Sequence, residues 1–138
     1  MNKSTDLLHG NKWNIDEDDL SWIGFVYKLQ NIKTGEYYIG SKNRYSLRKE
    51  TKKSSPKYGK KVKKESDWKT YQSSSVIASQ WPSEDVQCDV LYLCSSKYEM
   101  TYMEIHALME SHALRDRQSL NVMLGSKSIG RCPENFKI

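Results

Sequence analysis

The sequence predicts an α+β domain whose strands form a small antiparallel sheet, and three observations carry that expectation. Residues 24–30, GFVYKLQ, and 36–40, EYYIG, are aromatic and β-branched runs joined by NIKTG, a turn composition with Gly35 available for positive φ. Residues 86–94, VQCDVLYLC, alternate and then become continuously apolar, as a third, well-buried strand would. Tyr98, Thr101, Tyr102, Ile105, Leu108, Met109 and His112 recur at helical spacing behind Ser95 and Ser96, either of which can cap a helix running to about Leu114.

The other segments are assigned around these. Residues 1–21 carry few aliphatics and end in the acidic cluster Asp16, Glu17, Asp18 and Asp19, so they read as an N-terminal arm or a short capping helix. Residues 43–53 are helix formers with a turn of basic side chains, broken by Ser54-Ser55-Pro56, and Tyr58 to Lys61 reads as loop. Ser73 to Ser75 can cap a short helix from about Val76 to Gln80, before Pro82. The C-terminal residues hold Gly125, Gly130 and Pro133 and read as irregular. The expected division is an arm at 1–21, a domain at 22–124 with a basic insertion at 49–69, and a tail at 125–138. The expected element order is β-β-α-(α)-β-α.

At 138 residues the chain has room for one domain. No run approaches the ~20 apolar residues of a membrane helix, and the first twenty residues do not read as a signal peptide. Three cysteines, Cys88, Cys94 and Cys132, without CxxC spacing argue against a disulfide scaffold or zinc knuckle and for a reducing cytoplasm. The net charge is +5, but its distribution is uneven. Residues 42–69 hold 12 basic and three acidic side chains, a local +9, while the rest of the chain is at −4. An acidic body with one basic segment points to a polyanion partner, nucleic acid first, against the plainer reading of a solvated lysine loop.

The hairpin is where the pattern becomes specific. Tyr27 sits in the first strand, Tyr38-Ile39-Gly40 closes the second, Arg48 follows, and a lone acid, Glu104, lies at the edge of the late helix's apolar stripe. The ordered set over residues 24–121 resembles the GIY-YIG nuclease superfamily. Phe25-Val26-Tyr27 stands for the first motif, with Phe25 where the family name has glycine and Gly24 displaced by one. The resemblance implies a GIY-YIG-like domain, a three-stranded antiparallel sheet flanked by helices, acting as a metal-dependent DNA endonuclease.

Roles follow from the resemblance residue by residue. Tyr27 would be general base or water-orienting group, which at a reference pKa near ~10 needs a cation or the metal nearby. Tyr38 would hold nucleophile or phosphate, and Arg48 would contact phosphate through its planar fork. Glu104 would bind one hard divalent cation, magnesium or manganese. Lys52, at i+4 from Arg48 on the expected helix, and Asn121, in SLNV, would support the site. Glu99 is the nearest substitute for Glu104, and His106 and His112 fall on different helix faces, which argues against a shared metal. Ordinary cross-strand packing is the plain reading of the two tyrosines.

Along the basic segment, Lys42, Arg44, Lys49, Lys53, Lys57, Lys60, Lys61, Lys63, Lys64 and Lys69 would follow a phosphate backbone together with Tyr58, Trp68 and Tyr71, one of these aromatics stacking on a base. The expected partner is DNA, double-stranded, and cutting both strands calls for a homodimer or sequential nicking. A small nuclease of this kind suits a phage or mobile element, acting in the host cytoplasm. The rival expectations are an inactive nucleic-acid-binding protein with the same fold and an assembly protein using its basic loop.

Overall fold

The computed structural model describes residues 11–121 and Glu134, with Arg48 described by its backbone alone. Residues 1–10 of the expected arm, and the expected tail apart from Glu134, lie outside the described residues. β1 (Gly24–Asn31) and β2 (Tyr37–Asn43) form the expected hairpin, and β5 (Val86–Cys94) pairs antiparallel on the other side of β1. The order β2-β1-β5 puts β1 in the centre. It is covered on both faces, which is why GFVYKL reads as a nearly continuous apolar run. Gly35 closes the hairpin at φ +82°, and the Asn31 side chain accepts from Lys33 and Thr34 N–H to shape the same turn.

The two faces of the sheet carry two cores. Phe25, Tyr27 and Leu29 share one with Trp13, Ile15, Trp22 and Trp68. Val26, Ile39 and Cys94 share the other with Met100, Met103, Ala107 and Leu108 of α2 (Lys97–Glu110). Trp13, Ile15 and Trp22 therefore bring the described part of the N-terminal segment into the core rather than leaving it as an arm. Trp22 meets Trp68 edge-on at 5.1 Å and 88°, a geometry that adds about 1 kcal/mol to the area the pair buries.

Three local expectations are corrected. The helix expected over 43–53 is β3 (Tyr45–Lys49), paired with β4 (Lys61–Glu65) in a separate two-stranded ribbon. Tyr-Ser-Leu-Arg-Lys alternates with period two, and a partner strand twelve residues on satisfies its backbone, which outweighs the helix propensity of Leu, Arg and Lys. Part of the expected basic loop is thus strand. Second, β5 is an edge strand, buried at Val86 and Cys94 but with Leu91 and Leu93 exposed. Third, α2 stops at Glu110 because His112 adopts φ +57° and Ala113 N–H returns to Leu108 O. Its buried stripe is Met100, Met103, Ala107 and Leu108, while Met109 and His112 are exposed. The short helix α1 (Val76–Ser79) forms where expected, capped by Ser75.

Candidate active site

Four consecutive residues of β2, Tyr38 to Ser41, are each gripped by a different part of the chain. Tyr38 Oη shares a hydrogen bond with Ser74 Oγ at 3.1 Å, just before α1. Ile39 is held on both backbone groups by Asn121, whose Nδ2 donates to Ile39 O (2.8 Å) and whose Oδ1 accepts from Ile39 N (2.9 Å). Asn121 imitates a neighbouring strand there, continuing a short parallel bridge between Tyr37 and Ser119. Gly40 lies opposite Tyr27 in the register, and a Cβ on it would come within 2.6 Å of Tyr27 Oη and 2.8 Å of Tyr38 Cε2. Glycine is required at 40 because the Tyr27 ring crosses its α-carbon. Ser41 Oγ donates to Glu104 Oε1 at 2.7 Å.

Tyr27 and Tyr38 are brought together, ring centroids 6.3 Å apart. Tyr27 is fully enclosed by Trp13 at 4.9 Å, Phe25 and Tyr71, and its hydroxyl has no hydrogen-bond partner of good geometry. Burial pushes its pKa far above the ordinary phenol range, with Ser73 acting in the opposite direction and the Tyr71 and Tyr38 hydroxyls adding to the rise. Tyr27 is therefore a neutral phenol in this arrangement. Lys42, two residues past Gly40, sits over the Tyr71 ring at 4.1 Å and pairs with Asp67 at 2.8 Å, so it is a site-facing cation rather than a free phosphate contact.

Glu104 approaches the same strand from α2, on the opposite face of the sheet from Tyr27 and near the strand's outer edge. Burial raises its pKa and the Ser41 hydrogen bond pulls it back in part. Glu99, its nearest substitute, is already used: its carboxylate accepts from Ser95 N–H (2.6 Å) while its own N–H caps on Ser96 Oγ. His106 pairs with Glu110 at 2.7 Å on the helix exterior. A half-buried lone carboxylate is a donor of the type that a hard divalent cation such as magnesium or manganese takes. Among the described residues no group of three or more His, Cys, Asp or Glu is arranged to hold a metal.

The basic residues separate into distinct settings. Arg48 falls on β3 opposite Val62, so it enters through the ribbon and not through a helix. Lys52 lies in the turn beyond β3, and its expected helical spacing from Arg48 does not exist. Two nucleic-acid assignments are overturned by burial. Arg44 is buried, donating to Glu17 O (2.7 Å) and Asp19 O (2.6 Å) and stacked on Trp22 at 4.1 Å, so it ties the N-terminal segment to the sheet. Trp68 is completely enclosed, its indole N–H donating to Glu65, and no base can reach its ring. Lys69 pairs with Glu17 and Lys64 with Glu50, whereas Lys49, Lys53, Lys57, Lys60 and Lys61 are exposed.

Ser41, Ser73 and Ser74 have no individual site role among the sequence expectations, and Tyr71 has one only as an aromatic of the DNA-facing segment. Ser41 directly follows Tyr38-Ile39-Gly40, and a hydroxyl in that position was the one available signal. Of the serine run expected to cap the short helix, Ser75 supplies the cap.

Comparison with curated proteins and with solved structures found no match. A family model described as "Putative endonuclease segE, GIY-YIG domain" matches residues 7–123. That span contains Tyr27, Tyr38, Gly40, Glu104 and Asn121, and it includes the N-terminal residues that complete the core around Tyr27. With the fold and the motif strand in agreement, the chain belongs to the GIY-YIG nuclease superfamily.

Proposed function

We propose that the chain is a metal-dependent endonuclease that hydrolyses phosphodiester bonds in DNA. The convergence of Tyr27, Tyr38, Glu104 and Asn121 on residues 38–41 supports this reading. Asn121 is a positioning residue, because both ends of its amide are spent on the Ile39 backbone and fix the strand that carries Tyr38.

Water attacks phosphorus, the P–O3′ bond breaks, and 5′-phosphate and 3′-hydroxyl ends remain. Tyr38, bonded to Ser74 and only half-buried, can accept a hydrogen bond from the attacking water and so orient its lone pair towards phosphorus. Tyr27, kept neutral by its surroundings, can act in this arrangement as a hydrogen-bond donor but not as a ready phenolate. Its use as a base requires a cation to come close once substrate binds. Glu104 would hold the divalent cation, which when bound supplies charge neutralisation at the phosphate. Arg48 remains the proposed phosphate cation, brought by the ribbon. The proposed setting is a phage or mobile element and a reducing cytoplasm, in which Cys88 and Cys94 stay free thiols.

One observation, the enclosed Tyr27 hydroxyl, favours a second reading: a DNA-binding protein of this fold without cleavage. Incubating supercoiled plasmid with magnesium or manganese, parent beside Glu104→Ala, decides between them. Nicking by the parent and loss of at least ~100-fold in the variant supports the nuclease. Binding without nicking by either supports the second reading, and nicking by both removes Glu104 from the site. Absence of DNA affinity even at low salt would turn the reading towards an assembly protein.

A further inference from the structure

The β3–β4 ribbon divides its charges by face. The register places Leu47 opposite Lys63 and Lys49 opposite Lys61, and these four side chains alternate onto one exposed face. Leu47 is 70% exposed at its middle. Single exposed leucines are ordinary, so the setting carries the argument. Lys49 and Lys61 make no salt bridge among the described residues, and the Lys63 ammonium lies 4.3 Å over the Tyr45 ring, still solvent-facing. The paired cation is on the other face: Lys64 meets Glu50 at 3.5 Å. Glu65, at the ribbon's base, spends its carboxylate on the Trp68 indole. The outer face thus offers the exposed Leu47 beside Tyr45, flanked by Lys49 and Lys61, which make no salt bridge among the described residues, and by the solvent-facing Lys63.

We propose that this ribbon lies in the major groove of duplex DNA, with Leu47 against base edges and Lys49, Lys61 and Lys63 on the flanking phosphates. Two strands about 5 Å apart, with their side chains, fit a groove about 12 Å wide. A thymine C5-methyl is the apolar group such a groove presents, so Leu47 gives the ribbon a preference for thymine, which lysines alone cannot give. The ribbon is anchored for this role at its base, where Ser66 N–H donates to Arg44 O and Ser66 Oγ to Asn43 O. This inference rests on DNA being the substrate, and the test separates the two.

The full chain is titrated with a fluorescent thymine-rich duplex in EDTA, across a range of salt, beside the same duplex with uracil in place of thymine. Leu47→Ala is expected to weaken binding roughly tenfold with the salt slope unchanged, and the uracil duplex to weaken the parent roughly fourfold but not Leu47→Ala. Lys61→Ala is expected to lower the slope of log K against log salt by about 0.9. Both variants change exposed side chains, so thermal unfolding should match the parent. Salt-dependent binding by the parent with Leu47→Ala indistinguishable from it overturns the ribbon inference and leaves the DNA reading standing. Displacement by netropsin with no uracil effect overturns it in favour of the minor groove. Absence of any affinity at low salt overturns both.

Discussion

The motif strand and the basic ribbon are adjacent in sequence and built on opposite plans. Residues 38–41 are fixed from four directions, by Ser74, Asn121, Tyr27 and Glu104, and none of these groups is near them in sequence. The ribbon is fixed by its own five-residue pairing and by contacts at its base, and its outer face touches little else. One region is over-determined and the other is presented. That contrast suits a cleavage site that must be held to a fraction of an ångström and a binding surface that must meet an irregular partner.

Substituting the two glycines separates the regions most sharply. Gly40→Ala drives a methyl into both tyrosine rings, and at least ~100-fold loss of plasmid nicking is expected, with roughly 1–3 kcal/mol of stability. Gly59→Ala at the ribbon tip meets no neighbour but must adopt φ +81°, costing about 1–2 kcal/mol in denaturant unfolding with nicking near parent level. The two basic side chains Arg44 and Lys49 come next. Arg44→Ala removes the buried guanidinium from Trp22 and from the part-buried Glu17 and Asp19 carbonyls, a loss of about 3 kcal/mol, whereas Lys49→Ala should stay within ~0.5 kcal/mol. Asn121→Ala removes two buried hydrogen bonds from the edge of β2 and should cost about 2 kcal/mol, with nicking reduced because Tyr38 is no longer held.

A smaller effect belongs to Glu104. Its folded-state pKa is raised by burial, so the folded chain holds this proton more tightly than the unfolded one. Stability then falls as pH rises through that folded-state value, and Glu104→Gln should melt higher than the parent at neutral pH while nicking is lost. The smallest is Tyr27→Phe, which deletes an unpaired buried hydroxyl. Its melting temperature should be unchanged or higher, and the change in nicking then reports the hydroxyl's chemical role alone.

These differences also explain what was legible from residues alone. Alternation, a turn composition and Ser96 as a helix cap located β1, β2, β5 and α2, because each signal lies within a few residues of what it specifies. Glu104 could be preferred over Glu99 by its place beside the apolar stripe. β3 was missed because its strand state depends on pairing with residues 61–65 across a connection that carries no hairpin signature. Arg44 and Trp68 were misplaced for a related reason. A basic or aromatic residue in a lysine-rich run reads as surface, but here both are drawn inward by Trp22, which lies over forty residues from Trp68. Ser41 and Ser74 carried no signal beyond their position, since a serine hydroxyl becomes informative only once its partner is in place.

The claim that residues 38–41 assemble one phosphodiester-cleaving site is tested most directly by a double-mutant cycle. Tyr38→Phe, Glu104→Gln and the double variant are compared with the parent by single-turnover nicking of plasmid in magnesium. Groups acting as one unit lose activity together, so the double variant should be about as slow as the slower single variant. Losses that multiply would contradict the account, because they would mean that Tyr38 and Glu104 act independently.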